Sequence, residues 1–220
     1  GLYMNHSYID TIYKQINQSE LRKKKEYKYS DLGFYYFFRL IERLNDLPFE
    51  KQVKEDFYMP LGMNRSGFLP LKKHPREEIV PTENDMVFRR QLLNGHVHDP
   101  GAAMLGGVCG HAGLFSNAND LAKMMQMYLN GGSYGGKTFF TDTTLDKFTN
   151  APFKDTNGNR RAIGFDKPVK EEDKPGPAYK GVSTESFGHT GFTGTIAWAD
   201  PKTNIIFIFL SNRIHPDQYN

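Results

Sequence analysis

Three features of the 220-residue sequence predict an α+β domain. Apolar residues recur at helical spacing through its first two thirds, strand-like runs crowd its C-terminal part, and glycine-rich turns punctuate the two. The C-terminal stretch 186–214 reads S-F-G-H-T-G-F-T-G-T-I-A-W-A-D-P-K-T-N-I-I-F-I-F-L-S-N-R-I. Ser186–Gly191 reads as a short strand ending in His-Thr-Gly. Thr195–Ala199 alternates before an Asp200-Pro201 turn. Ile205–Leu210 is an unbroken apolar run of β-formers, too short for an isolated helix. The expectation is a three-stranded antiparallel meander whose last strand is buried on both faces.

From the N-terminus, Tyr8–Glu20 carries Ile9, Ile12, Tyr13 and Ile16 on one helical face. Its abrupt start in a helical pattern reads as a processing boundary. Lys23–Lys28 is a charged linker. Tyr29-Ser30-Asp31 opens a strong helix, with Ser30 or Asp31 as N-cap and Phe34, Phe37, Phe38, Ile41 and Leu44 inward. A second helix, Phe49–Met59, turns Val53 and Phe57 inward and ends at Pro60-Leu61-Gly62-Met63. Residues 64–100 lack periodicity and read as wrapping loops, a length that often carries a binding region. Ala118–Asn130 is an amphipathic helix capped by Asn117 or Asn119. Leu121, Met124, Met125, Tyr128 and Leu129 are inside, and Gly131-Gly132 stops it. Its methionines read as core filler. Thr141–Phe148 is a shorter capped helix. Ala151–Tyr179 is polar and proline-rich, with one strand at Ala162–Phe165.

Composition excludes several classes. Hydrophobic residues are 38%, charged residues 24% and aromatics 14%, enough for a substantial core. The net charge is +3, and Arg22-Lys23-Lys24-Lys25 is one basic cluster, too few phosphate contacts for a nucleic-acid partner. One cysteine, Cys109, rules out an internal disulfide and a cysteine-based zinc site. No apolar run approaches the ~18 residues of a membrane helix, and no signal peptide is visible. Asn5-His6-Ser7 matches a glycosylation sequon, which short motifs do by chance. His96 and His98, with Asp99 beside them, invite a metal reading, but a His-x-His pair on a strand needs a further ligand and none stands at a motif spacing. The glycine-rich stretch Gly106–Ser116 has no lysine and so is not a phosphate loop. Neither a metal nor a cofactor is expected.

The order His189-Thr190-Gly191, then Thr-Gly-Thr-x-x-Trp-x-Asp-Pro, then an apolar strand ending Ser-Asn-Arg resembles the serine β-lactamase and penicillin-binding-protein superfamily. The likeness is to its class-C-like esterase and D-peptidase branch. Tyr29-Ser30-Asp31 stands where that branch has Tyr-x-Asn. Pro60-Leu61-Gly62-Met63 and the Gly-x-Ala-Gly-Leu-x-Ser turn at 110–116 fit as well. The resemblance implies a β-lactamase-like antiparallel sheet packed with helices, with strands from about 160 to 215, and a helical subdomain from about 29 to 150. It implies acyl transfer on an ester, D-peptide or β-lactam-like carbonyl. Tyr29 and His189 would be catalytic. Asp31, His111, Thr190, Gly191 and the Phe192 amide would bind substrate, the amide as an oxyanion donor, in a cleft between the helical part and the sheet. Asp31 replaces the commoner Asn and adds a negative charge that favours a protonated lysine beside it. His189 replaces the commoner lysine, which ranks an esterase or peptidase above a resistance enzyme.

The family's nucleophile sits in Ser-x-x-Lys, and no serine here is followed by lysine three places on. Thr11-Ile12-Tyr13-Lys14 and Thr144-Leu145-Asp146-Lys147 are the nearest approximations, one close before Tyr29 and one after it. Two readings follow. The domain is N-terminally incomplete here and belongs to a complete serine hydrolase of a bacterial envelope or periplasm. Alternatively, it is a nucleophile-less homologue that binds cell-wall peptides or a partner protein. A carbohydrate module built on Trp198 is a third. A peptidoglycan-type or other small-molecule substrate is the expected partner. Missing sheet strands would leave an apolar edge, so oligomerisation or strand swapping is also expected.

Overall fold

Aromatic residues decide how the N-terminal helices meet. The computed structural model describes residues 4–24, 26–154 and 159–218, so Lys25 of the basic run and 155–158 of the polar segment lie outside the described residues. The chain divides into two compact units. One comprises Gly1–Asp56, Ser66–Phe115 and Asn212–Asn220; the other comprises Phe57–Arg65 and Ser116–Ser211.

In the first unit, helix α1 (Ile9–Gln18) buries Tyr13. The Tyr13 hydroxyl donates to the Tyr35 carbonyl at 2.8 Å, and its ring meets Tyr36 edge-on at 5.3 Å. The Arg39 guanidinium lies 4.3 Å over the Tyr13 ring. Helix α2 (Phe34–Asn45) begins later than its sequence suggests, with Gly33 as N-cap rather than Ser30 or Asp31. Ser30 Oγ accepts the Leu32 amide at 3.3 Å, a local turn that competes with helix. The Phe34 amide then donates to the Asp31 carbonyl at 2.8 Å. The inward face also differs from expectation. Phe38 is buried, whereas Phe34, Phe37 and Leu44 are exposed. Apolar residues occupy both sides of α2, so periodicity alone does not choose the face. Pairing of Tyr35 and Tyr36 with neighbouring rings does.

Helix α3 (Phe49–Val53) continues as a single π-turn, Lys54–Tyr58, and leaves Val53 and Phe57 half-buried as expected. The aperiodic segment that follows in the first unit is organised by side chains. Strands β1 (Glu83–Asp85) and β2 (Gln91–Leu93) pair antiparallel. Buried Asp85 accepts the amides of Val87, Phe88 and Arg89 and the Arg89 guanidinium, which itself donates to the Val97 and His98 carbonyls. Asp99 caps the short helix α4 (Pro100–Met104) by accepting the Ala102 amide at 2.6 Å. Tyr13, Phe38, Val97, Ala102, Leu105 and Cys109 form the core of this unit.

In the second unit, helix α5 (Ala118–Leu129) is capped by Asn117, whose side chain accepts the Asp120 amide. Met125 is buried as expected. So are Met127 and Asp120, the latter because it accepts the Arg65 amide at 2.8 Å. Gly131 and Gly132 end the helix at positive φ. The hairpin β3 (Ser133–Tyr134) and β4 (Lys137–Thr138) leads to helix α6 (Asp142–Thr149), capped by Thr141. Residues 162–165 form a turn rather than the expected strand, with the Ala162 amide donating to the Phe165 carbonyl.

The meander is as expected. Strands β5 (Phe187–Gly191), β6 (Thr195–Asp200) and β7 (Ile205–Leu210) lie side by side, antiparallel, with His189 opposite Ala197 and Ala197 opposite Ile208. Met125, Phe187 and Ala199 are the core between α5 and this sheet. Burial of β7 on both faces is corrected: Ile205, Phe207 and Phe209 are each more than half exposed. Strand β7 ends the sheet, and the residues packed against α5 alternate with these. Trp198 is 3% exposed, so it offers no platform for a sugar ring. Among the described residues no helix is long and apolar enough to cross a membrane.

Candidate active site

Each unit presents one group of the residues singled out by sequence. Tyr29, Asp31 and His111 belong to the first; His189, Thr190, Gly191 and Phe192 belong to the second. Tyr29 is exposed and Asp31 half-buried, both on the turn that runs into α2.

His111 is almost enclosed, its side chain 4% exposed. Its Nε2 lies 2.7 Å from Asp99 Oδ1, and its ring stacks on Tyr35 at 4.6 Å and 7°. Nδ1 is buried, and no hydrogen-bond partner meets it at normal geometry among the described residues. Burial alone would lower the His111 pKa. The bond to Asp99 and the adjacent Cys109 outweigh it and raise the value to about 10. Asp99 opposes its own burial in the same way and is held below the usual carboxylate range by His111 and the Ala102 amide. The Tyr35 hydroxyl is pushed up to about 12, first by burial, then by the surrounding Asp99, Cys109 and Asp31. Asp31 and Asp99 are thus both felt at one phenol.

A pH dependence of stability follows. The folded state holds the His111 proton more tightly than the unfolded chain, whose value is 6.5. The contribution is therefore complete below pH 6.5 and is lost as pH rises toward about 10. Urea midpoints across that window are expected to fall in the parent and to fall less steeply in Asp99→Asn. Parallel slopes would contradict the assignment.

The metal reading of 96–99 does not converge. His98 Nε2 pairs with Glu83 at 3.0 Å, Asp99 pairs with His111, and His96 is exposed. Among the described residues no group of three or more histidines, cysteines and acids is placed to hold a metal ion.

In the second unit, β5 carries His189 half-buried and Thr190 and Gly191 exposed, and exposed Phe192 follows it in the turn. His189 Nε2 lies 2.9 Å from Arg161 Nη1, and Nδ1 lies 2.7 Å from the Thr190 carbonyl. A guanidinium only donates, so Nε2 accepts and the ring proton sits on Nδ1, donating to that carbonyl. Arg161 and Arg160 both pair with buried Asp166, at 3.0 and 2.9 Å. Asp166 in turn bridges β5 through two backbone bonds with Gly188. A Cβ at Gly188 would stand 2.3 Å from the Ala197 carbonyl oxygen, so the strand can lie this close to β6 only without a side chain there. At the strand end a turn closes with the Gly194 amide donating to the Gly191 carbonyl.

Arg161 and Asp166 were not among the residues singled out by sequence. They sit in a polar stretch without periodicity, and Arg161 meets His189 28 residues away. Only the doublet Arg160-Arg161 followed by an acid hinted at them. The first group offers a phenol on an exposed turn and a half-buried carboxylate; the second offers a strand end with a guanidinium against its histidine.

The Beta-lactamase family matches residues 3–220. A protein of Salmonella gallinarum named "Putative D-alanyl-D-alanine carboxypeptidase" is 35% identical over 210 residues, covering 89% of this chain and 47% of that protein. Its namesake in Escherichia coli K12 is 34% identical over 209 residues, with the same coverage. The chain thus spans about half the length of the curated relatives it matches. Among solved structures, a β-lactamase from Mycobacterium bovis superposes with a TM-score of 0.60 at 19% identity, over 87% of this chain and 58% of the other. A LovD6 mutant of simvastatin synthase from Aspergillus terreus gives 0.62 at 16%, over 93% and 54%. The octameric penicillin-binding-protein homologue of Pyrococcus abyssi gives 0.56 at 18%, over 86% and 39%.

Proposed function

The chain belongs to the Beta-lactamase family, and on that footing we propose that it is the greater part of a serine-type hydrolase domain acting on carboxylate-ended D-peptides of the cell wall. The observation that carries this reading is Arg161, whose guanidinium lies 2.9 Å from His189 beside the exposed Thr190–Gly191 strand end. In this family the triplet is Lys-Thr-Gly or His-Thr-Gly, and the lysine form brings its own cation to the strand. Here the triplet is His-Thr-Gly and the cation comes from Arg161. An arginine suits a planar carboxylate such as a peptide C-terminus. The name carried by the curated relatives agrees with that substrate.

In this mechanism a serine hydroxyl attacks the scissile carbonyl. Tyr29, entering as the phenolate, takes the hydroxyl proton and gives it to the leaving amine, so the peptide C–N bond breaks as an acyl ester forms and the phenolate is restored. Water then attacks the ester, with Tyr29 relaying the proton back to the serine. The Phe192 amide faces the oxyanion, Thr190 and Gly191 hold the substrate along the strand, and Asp31 tunes the lysine of Ser-x-x-Lys. That motif is absent from these residues, and we place the nucleophile in the same protein outside them. The 220-residue chain alone would then be inactive. An envelope location follows from the substrate. The uncovered face of β7 supports self-association or strand exchange between copies.

Arg161→Gln is the test. In the native protein that carries this chain it should raise KM for a D-Ala-D-Ala peptide by about 10–150-fold, the worth of a charge-assisted bond of ~1.5–3 kcal/mol. An amidated peptide should respond little. Equal effects on both would refute the carboxylate role. The absent Ser-x-x-Lys favours a second reading, a nucleophile-less module that binds such peptides without turnover. Hydrolysis by the native protein rules it out.

A further inference from the structure

We propose that His111 is a positioning residue: held on Asp99 and stacked on Tyr35, it fixes the first turn of α2 and hence the Tyr29–Asp31 segment that runs into that turn. The proposal rests on the reading of Tyr29 and Asp31 as site residues.

The contacts form a closed circuit. Asp99 Oδ1 accepts both the Ala102 amide at 2.6 Å and His111 Nε2 at 2.7 Å, tying the start of α4 to the imidazole. The imidazole lies flat against Tyr35. The Tyr35 hydroxyl then returns to α4, where a Cβ on Gly101 would stand 1.7 Å from it. That glycine is the seat for the phenol. A second contact pins the same turn: a Cβ on Gly110 would stand 2.7 Å from the Phe34 carbonyl oxygen, so the backbone beside His111 presses directly on α2. Tyr13 locks the turn from α1 by donating to the Tyr35 carbonyl.

The other end of the turn leads to the motif. The Phe34 amide donates to the Asp31 carbonyl, and the Leu32 amide donates to Ser30 Oγ. A rotation of the first turn of α2 therefore displaces Asp31 and Ser30 with it, and Tyr29 immediately before them. An apolar ring at 111 could stack on Tyr35 but could not hold Asp99. An aliphatic amide could hold Asp99 but not stack. Histidine does both, and its 4% exposure excludes direct contact with substrate from this arrangement.

The test uses backbone amide spectra and kinetics of the native protein that carries this chain. His111→Gln should shift the amides of Ser30, Asp31 and Leu32 while leaving those of β5–β7 in place. It should lower kcat by about 10–100-fold with KM within about twofold, the signature of a displaced rather than a lost catalytic group. Gly101→Ala should do the same by evicting the phenol, and adding Tyr35→Phe should restore part of the loss. Should His111→Gln fail to fold, the Gly101 and Tyr35 pair decides. Unmoved amides at 30–32 in a folded variant, or no recovery in the double variant, overturn the proposal. A native protein without turnover would sink the catalytic reading, and the amide shifts would still decide the positioning.

Discussion

Replacing Tyr29 with phenylalanine is expected to lower kcat of the native protein by about 10²–10⁴-fold, the usual contribution of a positioned acid or base. The ring stays and only the hydroxyl goes. Tyr29 is 53% exposed, so folding should tolerate the change within ~0.5 kcal/mol. KM should move little, because the phenol acts on the proton in flight rather than on substrate affinity. Steady-state rates beside a urea melt would separate the two effects. Unchanged kcat in a protein that turns over would remove Tyr29 from the mechanism.

Asp166→Asn is expected to destabilise the second unit toward the lower end of about 3–5 kcal/mol, the range for breaking a buried ion pair. Asp166 has 3% of its side chain exposed and serves two guanidiniums. The lower end applies because Arg160 is 40% exposed and recovers water when its partner is lost. The same change frees Arg161 from its anchor beside His189, so KM for a carboxylate-ended peptide should rise as stability falls. Urea unfolding measures the first effect. A loss under ~0.5 kcal/mol would show that Asp166 is not the anchor described.

The parts of the fold that were legible in the sequence are those set by local rules. Alternation placed β6, a short strand pattern ending in His-Thr-Gly placed β5, an unbroken run of β-formers placed β7, Asn117 or Asn119 offered the start of α5, and Gly131-Gly132 its end. Local turn chemistry misled at α2, where Ser30 caps its own turn instead of the helix. The outward half of β7 was illegible because six apolar residues in a row do not say which face is covered. The Asp85–Arg89 knot, the His111–Asp99 clamp and the Arg161–His189 contact were invisible for another reason. Each joins side chains from aperiodic stretches, and only the folded backbone puts them together. For the candidate site, the sequence offered the motif residues Tyr29, Asp31 and His189 but not the groups that pack against them.

The most direct test of the central claim, a serine hydrolase whose nucleophile lies outside these residues, is intact mass after exposure to a fluorophosphonate and, separately, a penicillin. The native protein should gain one stoichiometric adduct on a serine beyond the 220 residues, and the 220-residue chain alone should gain none. An adduct on this chain would place the nucleophile within it, and an unlabelled native protein would contradict the assignment as a serine hydrolase.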